Sequence, residues 1–265
     1  MVYLGDWLHK TRSRLTNGWV LPARCAICRR WPSEKLCDTC IAAFASPTTR
    51  CPTCGLAVCA PQDRCTACDH HPSLLTRCVC AVDYGWPWQG LIARFKFHDE
   101  PGWAQPLAWL MRSAHGGEDL LHAADLVLPM PVSRERLAER GYNQSWLLAK
   151  ALARQKADAR LLLRVRHTPA QHTLNRAHRL ANLQGSMALE PLRAHEVRGR
   201  HLLLIDDVMT SGASLQTAAQ VLIACGAQQV SALVLARTGP HEGDEETIPA
   251  APTLRQSAHV SHRFG

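Results

Sequence analysis

Residues 201 to 216 read His201-Leu202-Leu203-Leu204-Ile205-Asp206-Asp207-Val208-Met209-Thr210-Ser211-Gly212-Ala213-Ser214-Leu215-Gln216. The apolar run Leu202 to Ile205 is the pattern of a strand covered on both faces, and parallel sheets of such strands bind ligands beyond their carboxyl ends. It predicts a strand with Asp206 and Asp207 at that end, both ionised. Thr210, Ser211 and Ser214 then supply hydroxyls around Gly212, where the chain can turn tightly and bring backbone N–H groups to an anion. From Ala213 onward Leu215, Ala218, Ala219, Leu222 and Ile223 have helical spacing, so the loop opens onto a helix N-terminus whose dipole favours negative charge. Gly226 closes that helix.

Two carboxylates beside an anion cradle suit a ligand that carries both a phosphate and a diol, because acids accept hydrogen bonds from ribose hydroxyls while the loop holds the 5′-phosphate. Such a ligand is a ribose phosphate. The commoner nucleotide loops, GxxxxGK[ST] and GxGxxG, are missing from this chain. The ordered pattern from Leu202 through Asp206-Asp207-Val208-Met209-Thr210-Ser211-Gly212-Ala213-Ser214 resembles the phosphoribosyl-pyrophosphate (PRPP) site of type I phosphoribosyltransferases, with serines where that family often has threonine. The plainer alternative is a strand, an ordinary capped helix and two solvated aspartates, and it leaves thirteen ordered positions to coincidence.

With 265 residues and 46% apolar composition, the chain can bury a core in one large or two modest domains, which excludes disorder of the whole. Thirty basic against twenty-two acidic side chains give a formal charge of +8. Most of the positive charge is arginine, whose planar fork grips phosphate in pairs of hydrogen bonds, so the bias suits a diphosphate or a nucleic acid. Codon bias toward arginine would give the same composition. No run is apolar enough to span a bilayer and the first twenty residues carry no signal-peptide core, so a cytoplasmic protein is expected.

Twelve cysteines in a reducing compartment point to metal before disulfides. Eight of them form CxxC pairs, Cys25/Cys28, Cys37/Cys40, Cys51/Cys54 and Cys65/Cys68. Each pair can give two thiolates to one ion, and two pairs complete a tetrahedral zinc site closed to catalysis. Two structural zinc ions are therefore expected. A disulfide set or an iron–sulfur cluster is the rival reading. Spacing allows interleaved pairing, but consecutive pairing needs only short loops and is favoured. Cys59, Cys78, Cys80 and Cys225 read as core cysteines, and His70 and His71 as a surface loop. A zinc segment this small has little core of its own, so its default role is structural. Arg24, Arg29, Arg30, Arg50 and Arg64 on the knuckle loops make nucleic-acid binding the sharper alternative.

Along the chain, 1–24 reads as a lead-in with a short amphipathic helix over 4–16, 25–76 as the zinc segment, 77–238 as a second domain and 239–265 as a flexible tail. In the second domain, strands are predicted over 78–84, 125–132, 161–165 and 229–236 beside the central one, with helices over 86–97, 101–115 and 145–156. Pro106 fits only a first turn. This alternation implies an α/β fold with a mainly parallel sheet flanked by helices. Lys96 lies between two phenylalanines; it reads as a snorkelling helix-end lysine or as a phosphate ligand. Arg134, Arg136 and Arg140 follow a strand end, where a polyanion would lie. Residues 166–185 form a basic stretch without periodicity, read as a working flap or a disordered loop.

Taken in order, the four CxxC knuckles, Phe95-Lys96-Phe97, Pro129-Met130-Pro131-Val132 with Arg134, Arg140-Gly141-Tyr142-Asn143-Gln144, Thr168, Gln171 and Leu174 with Arg176 and Asn182, and Ile205-Asp206-Asp207-Val208 with Thr210-Ser211-Gly212 resemble the ComF family. The resemblance implies a double zinc ribbon preceding a type I phosphoribosyltransferase-like domain, and a link to uptake of single-stranded DNA in naturally transformable bacteria; other members are associated with gluconate use. It implies that Asp206 and Asp207 hold the ribose hydroxyls, Thr210 to Ser214 the 5′-phosphate, and Arg134 and Arg140 the pyrophosphate, with Lys96 nearby and Mg²⁺ accompanying PRPP. Residues 166–185 take the place of a mobile hood. Three readings stay open: a phosphoribosyltransferase of unnamed acceptor, a DNA-handling or PRPP-sensing module that does no chemistry and partners DNA-uptake or helicase proteins, and an assembly adaptor with a relic site. No residue announces itself as the acceptor's base; His172 and His178 qualify by location only.

Overall fold

A computed structural model describes residues 23–59, 63–165 and 186–239. The expected helix over 4–16, the stretch 166–185 with His172 and His178, and the tail beyond 239 lie outside the described residues.

Among the described residues six strands form, β1 (Arg77–Asp83), β2 (Leu126–Pro129), β3 (Leu162–Arg164), β4 (Met187–Leu189), β5 (His201–Met209) and β6 (Gln229–Arg237). The helices are α1 (Asp38–Phe44), α2 (Thr66–His70), α3 (Trp88–Phe97), α4 (Ala104–Ser113), α5 (Gly117–Ala123), α6 (Arg134–Arg140), α7 (Gln144–Ala153) and α8 (Ala213–Ala224). The main sheet runs β1-β6-β5-β2 with every pairing parallel. The strand predicted over 161–165 stands apart from it, pairing antiparallel with β4 in a two-stranded ribbon. Pro106 falls in the first turn of α4, as its missing N–H requires.

The alternation of β5 and β6 sorts their side chains into two cores. Leu203, Ile205, Leu233 and Leu235 face α3, α4, α5 and α7; Leu202, Leu204, Val230, Ala232 and Val234 share the other core with α8 and the β3–β4 ribbon. Leu202 to Ile205 are wholly buried, and at roughly 1.5–3 kcal/mol for each such side chain their burial is what holds the carboxylates beside them in place.

The cysteine-rich segment straddles the β1 edge of this sheet. Leu36 and Ile41 of its first half pack into the helical core, whereas Cys51, Cys54, Cys65 and Cys68 of its second half join Cys78, Cys80, Met209 and Leu215 in the other. Gly55, in the left-handed region at φ 67°, lies so near β1 that a Cβ there would come within 2.1 Å of the Cys80 sulfur. The end of the zinc segment thus packs directly on the strand that follows it.

Candidate functional site

β5 does not stop at Ile205. It continues to Met209 because β6 keeps pairing with it, Asp206 opposite Val234 and Met209 opposite Arg237, while β2 ends at the Pro129 to Ile205 pair. Asp206 and Asp207 therefore lie within the strand, past the point where its other neighbour has gone, and not beyond its end. Thr210 and Ser211 form the turn, Gly212 takes φ 74° and α8 begins at Ala213. A non-glycine residue at that φ is strained, so the expected tight turn at Gly212 is present.

The side chains beside the carboxylates come from residues distant in sequence. Lys96, in the last turn of α3, places Nζ 3.0 Å from Asp207 Oδ1, with the two side chains only 18% and 11% exposed. Asp206 Oδ1 accepts from the Ser145 hydroxyl at 3.1 Å and from the Asp207 backbone N–H at 2.9 Å. Burial, then the charge of Asp207, pushes the Asp206 carboxyl up to about 7, with Lys96 and the two donors pulling the other way. Two ionised aspartates were expected; burial first, and the neighbouring Asp207 carboxylate second, favour the protonated form of Asp206 in this arrangement. A cation or a ligand hydroxyl at this place would bring it down, which is the fit expected of a site for a Mg²⁺-accompanied diol.

The segment Arg140 to Ser145 assembles this corner. Gly141, at φ 72°, ends α6, and Asn143 caps α7 by accepting from Trp146 N while its amide donates to Met130 O at 3.0 Å. The Tyr142 hydroxyl donates to Phe95 O at 2.6 Å, and Gln144 Nε2 donates to Lys96 O at 3.4 Å. Arg140 lies 5.0 Å over the Phe97 ring and donates to Gln144 Oε1 at 3.4 Å. Arg134, also expected at the anion, is exposed at the start of α6. Sequence reasoning missed two groups. One is Ser145, a buried helix serine whose type alone is silent. The other is Arg164 of β3, whose guanidinium pKa is lowered by burial and by Arg136 and supported by the Asp206 charge. Only the fold carries β3 to this place.

The eight knuckle cysteines gather as two sets, Cys25, Cys28, Cys37, Cys40 and Cys51, Cys54, Cys65, Cys68, each with its sulfur atoms within 4.8 Å of one another. Consecutive pairing is thus what the fold builds. In each set the first pair sits on a tight turn and the second opens a helix, α1 after Cys37 and α2 after Cys65. Four sulfurs gathered this closely fit a metal that takes four thiolates, and each set can hold one zinc ion. Cys78 and Cys80 are buried as expected, but Cys59 is exposed and not a core residue. His70 ends α2, exposed, and neither it nor His71 belongs to a set.

Among the described residues no helix is long and apolar enough to cross a membrane. Residues 147–253 match the phosphoribosyl transferase domain family. The chain is similar to DNA utilization protein YhgH of Escherichia coli O6:H1, 33% identical over 178 residues covering 63% of this chain and 74% of that one. It is also similar to competence protein F of Haemophilus influenzae, 32% identical over 153 residues covering 56% and 66%. The crystal structure of HGPRT-ase from Leishmania tarentolae in complex with GMP aligns with 54% of this chain and 68% of its own at 14% identity and a TM-score of 0.28, too weak a likeness to bear on function. With two four-cysteine sets ahead of a parallel-sheet phosphoribosyl transferase domain and relatives of this identity and coverage, the chain belongs to the ComF family.

Proposed function

We propose that the protein binds PRPP, or a closely related ribose phosphate, together with Mg²⁺, and that its family's link to DNA handling extends to it as a cytoplasmic protein. The observation that carries the reading is the juxtaposition of Asp206 and Asp207 with the Gly212 turn at the start of α8. The carboxylates accept from the ribose hydroxyls, the loop from Thr210 to Ser214 offers N–H and hydroxyl donors to the 5′-phosphate, and Arg134 and Arg140 lie toward the diphosphate. Lys96 would exchange Asp207 for the ligand's own negative charge. Mg²⁺, when bound, supplies charge neutralisation at the diphosphate. Binding is the activity proposed. Calorimetric titration of PRPP with Mg²⁺ tests it: Asp206→Asn and Asp207→Asn should each weaken binding at least about tenfold, since a charge-assisted hydrogen bond is worth roughly 1.5–3 kcal/mol and a decade takes about 1.4. Unchanged affinity in the double variant would sink the assignment.

A second reading, a DNA-handling module that senses PRPP without chemistry, is favoured by the exposed Arg24, Arg29 and Arg30 around the first cysteine set and by relatives named for DNA utilization and competence. It expects salt-sensitive, sequence-tolerant binding of single-stranded DNA. Fluorescence anisotropy showing no binding at low salt would remove it. Pyrophosphate release on adding candidate acceptors to the PRPP complex would favour catalysis instead.

A further inference from the structure

Arg237, the last residue of β6, is buried, and beside its bonds to the neighbouring Thr238 it donates to main-chain carbonyls of two regions far apart in sequence. Nε donates to the carbonyl of Cys54, itself one of the second cysteine set, at 3.0 Å. Nη1 donates to Met209 O at 3.3 Å, to Thr210 O, and to Thr238 O at 2.7 Å, the first two being the entry to the Thr210–Ser214 loop. A second brace joins the same regions at the exit of the loop, where Gln216 of α8 donates to the Ser73 hydroxyl at 2.6 Å and accepts from Leu74 N at 3.0 Å, while Ser73 in turn donates to Thr53 O at 3.4 Å. The Met209 side chain closes the gap between, its sulfur 3.9 Å from that of Cys78. The first cysteine set has its own ties elsewhere, to the helical layer through Lys35 Nζ to Gly102 O at 3.2 Å and Trp88 Nε1 to Phe44 O at 2.8 Å.

We infer that Arg237 is a positioning residue coupling the second cysteine set to the loop that begins at Thr210, so that zinc held by Cys51, Cys54, Cys65 and Cys68 and an anion held by the loop stabilise each other, while the first set stays outside this coupling. Zinc fixes the backbone of Cys54; the planar guanidinium passes that constraint to the Met209 and Thr210 carbonyls and so to the turn at Gly212. Because coupling between two bound ligands is reciprocal, whatever the loop gains from zinc, the zinc gains from the loop's ligand. The ligand half of this inference rests on the reading of the loop as a ribose-phosphate site.

Zinc release to a zinc-selective chelator, in excess Mg²⁺ and with or without saturating PRPP, measures the coupling in the full chain. Release from the second set is read in a chain whose first set is disabled by Cys28→Ser and Cys37→Ser. PRPP should slow that release about fivefold or more, the lower end of ordinary coupling, and Arg237→Gln and Arg237→Lys should both remove the protection, since neither restores the fork. Release from the first set, read with Cys51→Ser and Cys65→Ser, should not respond to PRPP. Equal rates with and without PRPP, in protein that calorimetry shows to bind it, would overturn the inference. Should the parent protein not bind PRPP at all, the functional reading fails and the coupling is judged by hydrogen exchange. Arg237→Gln in the otherwise unaltered chain should then raise amide exchange over residues 209–216 and around Cys54 and leave α4 unaffected. Exchange unchanged at 209–216, or raised equally in α4, would overturn it.

Discussion

Asp206 shows how a neighbour changes what a residue type implies. Its carboxyl, raised from 3.8 to about 7 by burial and then by Asp207, holds a proton in the folded chain over a range where the unfolded chain has lost it. The sign follows: this group's contribution to stability is full below pH 3.8 and is lost as the pH rises through about 7. Asp206→Asn, neutral throughout, should therefore melt a few degrees higher than the parent at pH 8 and no higher at pH 4. The gain is read by differential scanning calorimetry at the two pH values. Ser145→Ala removes a donor to the charged carboxylate, so it should weaken PRPP binding more at pH 7 than at pH 8.5, where Asp206 is ionised in either protein. A pH-independent loss would show that the hydroxyl is only structural. Asp206 and Asp207 were legible in the sequence by type and order, whereas Ser145 was not, because a serine in the first turn of a helix is common and only its partner gives it meaning.

Among the elements, the junction of α6 and α7 brings the site together. Arg140 to Gln144 stands out in the sequence as an unusual string that carries part of the family resemblance, and its Arg140 reads with Arg134 and Arg136 as a cluster for a polyanion. The structure uses much of that string to hold the end of α3, through Tyr142 to Phe95 O, Gln144 to Lys96 O and Arg140 over Phe97. Gln144→Ala should leave the partly buried Lys96 carbonyl without this donor, costing about 1 kcal/mol of stability and weakening PRPP binding less than either aspartate variant, since it moves Lys96 without removing it. Melting and calorimetry on the same preparation separate the two effects. At the loop, Gly212→Ala places a Cβ at φ 74° and within 2.4 Å of the Met209 methyl. It should cost about 1–2 kcal/mol and weaken PRPP binding, while zinc content stays the same.

For the molecule as a whole, two metals follow from two closed sets of four thiols. Elemental analysis of reduced protein should find about two zinc ions per chain, and one after Cys51→Ser with Cys65→Ser. Iron, or two zinc ions surviving that change, would contradict independent sites. The two sets differ in what they support. Because the second shares its core with β1, β5 and α8, removing residues 1–76 would uncover Cys78, Cys80 and Met209. Such a truncation should lower the melting temperature and expose apolar surface to a hydrophobic dye, so loss of DNA binding in it would not by itself assign the DNA to the knuckles. Point changes at Arg24, Arg29 and Arg30, all exposed, keep that core and are the cleaner test.

The sequence alone determined the four strands of the main sheet, the turn after them and the two cysteine sets, because each is written in local order: apolar runs alternating with helical spacing, two acids before a hydroxyl-rich glycine turn, and thiols in pairs. Tertiary structure decided what meets at the site. How far β5 extends depended on which neighbour continued beside it, and Asp206's protonation depended on the space left between β5, α3 and α7. Lys96 remained undecided between solvent and ligand until the α6–α7 junction fixed its helix against Asp207. Arg237 had no signal at all, since an arginine ending a strand is ordinary until the fold surrounds it with carbonyls of the cysteine turn and the loop. Hydrogen bonds and burial between residues far apart in sequence, such as Ser145 with Asp206 and Arg237 with Cys54, leave no pattern in local order, and those interactions set the charge and the shape of this site.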